Sequence, residues 1–587
     1  MKQIQSFLLF LLLCSQYKAQ HLGPVDTLLL SNRTFGDLAD LSHQMDGFSH
    51  AFFLNPTATL PDVSAIYLNG QTTFSNALTL KKPLIFSALP HLGFGYGFGS
   101  QGAQRLRLDF EQTYIKNLLL NVRYDRWQRV GFIRADELRF SQLQIQLYHV
   151  GKRHEAKLYF ENASDDRQWS GGLASYASLG SIALDLIPVL KETSRTEKNN
   201  YTANLDFRYR LMGDSIRSIS LSTQHRYQLQ KRIYAEQGSL NLYYPQTYFS
   251  PDSCQDLFEQ QLFDNRIGFS GLLHATSLNT QLAVLQRNWS DMLLDYDTLE
   301  LNWHNALSWS NSTHQLDHEN MLNLHGAAQG FQSKSIYQLQ QKKWILNVEH
   351  RFANEWPLLL QRSYLSNLTN YTWDNPQKEK TQQLAIAAVY KNDPLGLQGK
   401  FKFEFIRYSS VYRFDPILMA WLQSGPGSNG QLATISTNLK YHFGQKNNPQ
   451  KLSRWSFNTN YVLLLQQTAF LPKHQAAAIV AWRGGVFKEK QLQLHLEAQL
   501  NYQSTSRALV YLPVVESLDW NSTQVGTVNG AFFNGQISLA MEVKTFRFFV
   551  NVANLGTYWN QASISTVSGY PFPSLQIRLG ITWDFWN

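Results

Sequence analysis

At 587 residues the chain has room for several ordinary domains, yet no shift in composition divides it. Its formal charge of +9 comes from 52 basic and 43 acidic residues that are interleaved instead of gathered in a stripe, which excludes a nucleic-acid-binding face. Hydrophobic residues make up 43% and the mean hydropathy is -0.31, so bulk measures read as soluble, but a transmembrane barrel gives the same averages because half of each strand faces water.

Residues 1–19 carry Lys2, an apolar run from Phe7 to Cys14 and a small residue at Ala19, the layout of a secretory signal peptide cleaved after Ala19. Leu11, Leu12 and Leu13 stand before Cys14 where a lipoprotein would place small residues, so Cys254 is the one thiol expected in the mature chain. Beyond this segment no run of 18 apolar residues occurs, which excludes a helical membrane protein. Residues 20–61 have no sustained alternation and read as an N-terminal extension in the periplasm or tucked into a barrel mouth. Residues 62–587 form the next unit, with alternation taking over from about Ile66.

The alternation is clearest in hairpins. Leu106, Leu108, Phe110 and Tyr114 oppose Arg105, Arg107, Asp109 and Glu111; after a turn at 115–117, Leu118, Leu120, Val122 and Tyr124 oppose Asn121, Arg123 and Asp125. Leu143, Ile145 and Leu147 oppose Gln142, Gln144 and Gln146; past a turn near Gly151, Ala156, Leu158 and Phe160 oppose Glu155, Lys157 and Glu161. Phe401, Phe403 and Phe405 alternate with Lys400, Lys402 and Glu404, and Leu492, Leu494, Leu496 and Leu500 with Gln493, His495, Glu497 and Asn501. Ile537, Leu539, Met541 and Val543 form one more apolar face, and Phe546, Phe548, Val550 and Val552 the next. The last stretch puts Ile577, Leu579, Ile581, Trp583 and Phe585 on one parity against Gln576, Arg578, Gly580, Thr582 and Asp584. Strands of this length with one purely apolar face fit a hydrocarbon layer crossed at a tilt. In lipid every backbone group must pair, which forces closure. The pattern therefore predicts an all-β, antiparallel outer-membrane barrel of roughly 18–24 strands. Aromatics at 13% suit its interfacial girdles.

Connections alternate between short and long. The long ones expected are 163–199, 238–264, 411–430 and 513–530. Two carry apolar patches, 182–190 and 416–422, which read either as short helices folded into the pore or as loops packed on themselves above the rim.

Local motifs do not point to catalysis. Gly97, Gly99 and Gly102 match a dinucleotide fingerprint, but a strand follows where a helix is needed. Gly93, Gly95, Gly97 and Gly99 read better as the inward positions of a strand whose outward face is Phe94, Tyr96 and Phe98. His314 and His318 lie about 13 Å apart on a strand and cannot share a metal ion. No nucleophile elbow, zinc-protease helix or phosphate loop is present, so neither an enzyme activity nor a cofactor is expected. If the apolar parity faces lipid, Arg105, Arg107, Arg123, Lys157, Lys400, Lys402 and Arg578 point into the lumen. They would favour anions in a pore, or pair with Asp109, Glu111, Asp125, Glu155, Glu404 and Glu542 and stiffen the wall, and the second reading is preferred.

The segment 99–173, with GSQGAQRLRLDFEQTY, NLLLNVRYDRW followed by Gly131, AKLYFEN and Gly171-Gly172-Leu173, resembles the putative porins of Bacteroidetes outer membranes. That resemblance implies a barrel in the bacterial outer membrane that passes small hydrophilic solutes or ions, with no catalytic residues to carry over. Asn587 departs from the terminal aromatic usual in proteobacterial barrels. Expected partners are outer-membrane lipid, small solutes or ions and the barrel-assembly machinery. Two alternatives stand beside this one. A plugged transporter of the TonB-dependent or fatty-acid type would use 20–61 as a small hatch, and a non-transporting barrel would have an enzymatic or structural role.

Overall fold

The computed structural model describes residues 89–586, apart from stretches within connections, of which the longest are 241–249, 356–362, 423–429, 444–454, 520–527 and 559–568. The expected signal peptide, the 20–61 extension, the start of alternation near Ile66 and Asn587 lie outside the described residues.

The described chain forms one closed antiparallel sheet of 22 strands. In chain order these are β1 His91–Gly99, β2 Gln104–Ile115, β3 Leu118–Arg129, β4 Leu138–Val150, β5 His154–Gln168, β6 Arg195–Gly213, β7 Arg217–Gln237 and β8 Ser253–Leu273. There follow β9 Thr276–Ser290, β10 Asp295–Ser310, β11 His314–His325, β12 Phe331–Gln341, β13 Trp344–Glu355, β14 Glu379–Asn392, β15 Leu397–Ser409 and β16 Gly430–Phe443. The last six are β17 Trp455–Leu464, β18 His474–Val486, β19 Leu492–Gln503, β20 Phe532–Val543, β21 Phe546–Ala553 and β22 Gln576–Trp586. Each strand pairs with its sequence neighbours, and β1 closes on β22 with Phe94 opposite Trp583 and Gly97 opposite Gly580. Closure leaves no edge, the condition hydrocarbon imposes on a sheet.

The two-residue period decides what each face meets. Along β22, Ile577, Trp583 and Phe585 are exposed, while Gln576, Arg578 and Asp584 are buried. Along β2 the buried parity is Arg105, Asp109, Glu111 and Thr113. The apolar face is thus the outside of the barrel and the polar face the inside, as hydrophobic surround and aqueous interior require. Outer aromatics gather toward the strand ends: Trp344 with Tyr390 (ring centroids 4.8 Å), Trp583 with Phe585 (4.3 Å) and Tyr441 with Phe443 (4.6 Å) at one end. Tyr502 with Phe533 (4.8 Å) and Phe331 with Phe352 (6.0 Å) stand at the other. Flat rings with polar edges suit the headgroup levels on both sides.

One end of the barrel carries tight turns. His274, Lys342 and Lys544 open three of them with φ of 53°, 28° and 52°, the left-handed conformation that reverses a twisted hairpin. Gly213 closes β6 at φ +97°, and a Cβ there would stand 1.7 Å from the Arg217 carbonyl oxygen, so no side chain fits. The other end carries the long connections 169–194, 238–252, 356–378, 410–429, 504–531 and 554–575. Two expected loop bounds need correction: 163–168 and 195–199 belong to β5 and β6, and 253–264 belongs to β8. The strands β6, β7 and β8 run 19, 21 and 21 residues, about twice the span a bilayer needs. They rise above the membrane as a wall where polar residues replace much of the apolar parity, and that change hid the upper parts of β6 and β8.

Among the described residues neither apolar loop patch forms a regular helix. The first, 182–190, holds one 3-10 turn, Leu184–Leu186, with Ile187 and Val189 buried. In the second, Ala420–Leu422 pairs with Arg413–Asp415 as a small hairpin, and 416–419 lies outside the described residues.

Candidate functional site

The inside of the barrel is the candidate site, and strand register decides which of its charges meet. Arg105 stands two residues from Asp125 across β2 and β3, and its guanidinium donates from Nε at 3.0 Å and from the terminal nitrogen at 2.5 Å. Both side chains are almost wholly shut from solvent. Asp109 takes Arg107 at 3.1 Å and Arg123 at 2.5 Å, and Asn121 donates to Glu111 at 2.8 Å. Further round, Arg167 forks onto Asp165 with both bonds at 2.7 Å, Arg547 meets Glu542 at 3.1 Å and Lys402 meets Glu404 at 3.0 Å. Paired this way, the charges cancel locally, and Arg105–Asp125, Arg123–Asp109 and Arg547–Glu542 also tie adjacent strands.

Of the seven sequence-selected cations, Arg105, Arg107, Arg123 and Lys402 therefore have carboxylate partners. Arg578, 1% exposed, donates to Gln576. Lys157 and Lys400 stand on the same inward parity without an ion pair among the described residues. Lys157 faces Asp206 across the β5–β6 register.

The inner wall is uneven. Around the closure seam, His91, Arg105, Glu111 and Arg578 are each 1% exposed, and Phe549 of β21 packs over Gly580, where a Cβ would stand 2.3 Å from the ring. His91 Nε2 lies 3.0 Å from Asp584 across the seam. Gly93, Gly95 and Gly97 face Asp109, Arg107 and Arg105 on β2, so the glycine strip leaves room for the large polar side chains beside it. On the opposite side, Gln224, Gln228, Gln281, His304, Asp317, Lys334 and Glu349 are all half-exposed on the inner parity.

At the long-loop end the connections fold over the mouth. Trp169 Nε1 donates to Thr196 at 2.9 Å, the Leu173 amide to the Gly569 carbonyl at 2.7 Å, and Leu173 bridges Val189. Gly172 at φ +92° lies so close to Gly569 that a Cβ would come within 2.5 Å of its Cα. Lys191 inserts into the wall, 2.9 Å from Glu236 and 3.3 Å from the Tyr234 hydroxyl, which itself donates to Glu236 at 2.6 Å. Burial lowers the Lys191 pKa despite the attraction of Glu236. In the 130–137 loop, burial raises the Asp136 pKa against the pull of Arg129 and Arg167. The 504–531 loop meets β7 where Arg232 donates to the Val514 carbonyl, and the 356–378 loop meets β8 where Ser366 donates to Asp256 at 2.6 Å. Hairpins from three loops touch one another: Thr372–Asp374 meets Ala420–Leu422, and Arg413–Asp415 meets Ser517–Asp519.

None of the latch residues Lys191, Tyr234 and Glu236 was singled out from sequence. Their contact crosses a loop and has no local period to announce it. The inward apolar groups Leu119, Trp127, Phe140 and Phe549 were missed because their apolar character points to lipid although their parity is that of inward polar residues such as Asn121, Asp125 and Gln142. Trp127 packs with Leu138 and Phe140 in one buried cluster, its ring 5.9 Å from that of Phe140. His314 and His318 lie on β11 and bond separately, to Tyr337 at 2.7 Å and Ser335 at 2.8 Å. The glycine motif ends in a 3-10 turn, Ser100–Gly102, followed by β2.

A closed sheet with an apolar, aromatic-girdled outside, a polar inside and one short-turned end is an outer-membrane β-barrel, seated in the bacterial outer membrane. The family described as putative porin matches residues 88–587, and the chain belongs to that family. No curated protein matches the chain. Among solved structures it is similar to the siderophore receptor PirA from Acinetobacter baumannii, at 11% identity and TM-score 0.59 over 86% of this chain and 81% of that one. It is similar to the copper transporter OprC at 11% identity and TM-score 0.60, over 86% and 81%. The ferric citrate transporter FecA aligns at 10% identity and TM-score 0.55, over 84% and 78%. At such identities the likeness is one of fold.

Proposed function

We propose that this barrel is a porin-like channel through which small hydrophilic solutes or ions diffuse across the outer membrane, a transport role and not a catalytic one. The observation that carries this reading is the half-exposed polar wall of β7 to β13, where carboxamide, hydroxyl and charged side chains line a wetted inner face. Membership of the putative porin family supports it. The paired cations Arg105, Arg107, Arg123 and Lys402 stiffen the wall, whereas Lys157 and Lys400 bias the pore toward anions. Outer-membrane lipid and the barrel-assembly machinery are the partners this role requires. Proteoliposome swelling in neutral sugars of graded size tests the proposal: swelling that falls off with sugar size supports a diffusion pore, and no swelling in the smallest sugar refutes it.

The second reading, a plugged and substrate-specific transporter, draws on the seam, where His91, Arg105, Glu111 and Arg578 are shut from solvent inside a barrel of a width that is plugged in other transporters. Uptake restricted to one solute class would favour it.

A further inference from the structure

We infer that the short-turn mouth of the barrel holds a binding site for a phosphate-class anion, made by Lys152, Arg153, Lys157, Arg208 and Arg210. The inference rests on the channel reading above and gives that channel a ligand chemistry.

Lys152 and Arg153 stand in the turn between β4 and β5, Lys157 on β5, and Arg208 and Arg210 on β6. Register gathers them. Arg208 faces Glu155, Lys157 faces Asp206, and the Arg210 amide donates to the Arg153 carbonyl at 2.7 Å. Two adjoining hollows of about 330 and 170 Å³ share Glu155 and Arg208. Lys157 lines the larger with Ser222 and Gln224, and Lys152, Arg153 and Arg210 line the smaller with Ser218 and Ser220. The larger falls in the size range of small-molecule sites.

What marks this mouth is that five cations gather round two adjoining hollows without being neutralised. Several inner-wall arginines are held by carboxylates, as Arg105, Arg123, Arg167 and Arg266 are at 2.5–2.7 Å. Among the described residues none of these five cations forms an ion pair, and Arg208 donates only to Ser270 at 3.3 Å. Two carboxylates border the site, Glu155 and Asp206, and Asp206 already accepts from Asn204 at 3.0 Å. The neighbouring Asp264 is occupied by Arg266. Cations therefore outnumber acids, and hydroxyl and carboxamide groups stand ready as neutral donors. Guanidinium forks match the oxygens of phosphate in pairs, and several such groups facing one hollow favour a multivalent oxyanion over chloride. The phosphate is carried either by a solute in the lumen or by a lipid headgroup of the facing leaflet, and both present the same oxygens.

The test uses the full-length protein reconstituted in bilayers of digalactosyldiacylglycerol, an uncharged lipid without phosphate, in potassium chloride, with inorganic phosphate added to each side in turn. A saturable reduction of chloride current from one side is expected. In the Arg208→Gln/Arg210→Gln double variant the half-blocking concentration should rise at least about tenfold. Arg195→Gln, at the long-loop end, serves as the control and should leave it unchanged. Equal block in the double variant and the parent overturns the inference while leaving the pore intact. Repeating the measurement with phosphatidylglycerol in that leaflet separates the sources: block that persists assigns the site to a solute, and block that disappears assigns it to lipid headgroups. If the protein conducts no current, the channel reading fails, and calorimetric titration of phosphate into detergent-solubilised protein decides the site. Heat lost in the double variant supports the inference, and no heat from the parent overturns it. Heat-modifiable mobility on gels establishes that the variants are folded.

Discussion

The Arg105–Asp125 pair bridges β2 and β3 with two charge-assisted bonds, at 3.0 and 2.5 Å, and is almost fully desolvated on both sides. Asp125→Ala removes the acceptor and leaves a guanidinium buried without its counter-charge. Breaking one side of a buried pair costs about 3–5 kcal/mol, because the desolvation of the remaining ion is no longer offset. The exposed pair of Arg195 with Asp166 has a similar separation, 2.5 Å, but 44% and 24% exposure, so water replaces what Asp166→Ala removes and the loss is about 0–1 kcal/mol. Replacing both partners, Arg105→Met with Asp125→Leu, removes the charge and the desolvation together and should restore most of the lost stability. The assay is urea-induced unfolding of the barrel in detergent, read by tryptophan fluorescence and gel mobility. A loss below about 1 kcal/mol for Asp125→Ala, or equal losses for Asp125→Ala and Asp166→Ala, would show that the inner charge pairs do not stiffen the wall.

Lys191→Met removes the ion that pins the 169–194 loop and leaves Glu236 buried without it, so limited chymotrypsin digestion, which has Trp169, Leu173 and further leucines to cut at, should cleave within that loop faster than in the parent. Unchanged digestion would deny the latch. Gly172→Ala puts a Cβ 2.5 Å from Gly569 at a positive φ, and should free the same loop while leaving heat-modifiable mobility intact; an undisturbed loop would refute the close approach. Ile581→Arg places a charge on the lipid face near mid-strand of β22 and should cost about 2–4 kcal/mol, against little change for Thr582→Arg on the inner face. Asp136 supplies a pH dependence of unusual sign. Burial raises its folded pKa above the unfolded 3.8, so its contribution is fully present below that value and is lost as pH rises through the folded one. Hydrogen exchange of the 130–137 loop should therefore show greater opening free energy at pH 4 than at pH 7, and the reverse order would refute it.

Much of this wall was legible because one physical rule governs it. A strand in lipid must alternate, so the two parities of β2, β5 and β22 could be separated letter by letter, and the inward row of Arg105, Arg107, Asp109 and Glu111 with them. The rule fails where lipid stops. Above the membrane β6 and β8 continue with Glu197, Asn199, Glu259 and Gln261 on the outer parity, and read as loop although they remain strands. Which acid takes which base depends on register: Asp125 was one of several candidates, and only its offset across β2 and β3 gives it to Arg105. Lys191 lies farthest from view, since its partners Tyr234 and Glu236 are on a strand that the loop reaches by folding back over the mouth.

The central claim, an open aqueous path, is tested most directly by single-channel recording of the purified protein in planar bilayers, with a salt gradient to read selectivity. The account predicts stable conductance steps with weak anion preference, abolished or reversed by Lys157→Glu with Lys400→Glu. A folded, heat-modifiable barrel that passes no current under any voltage would contradict it.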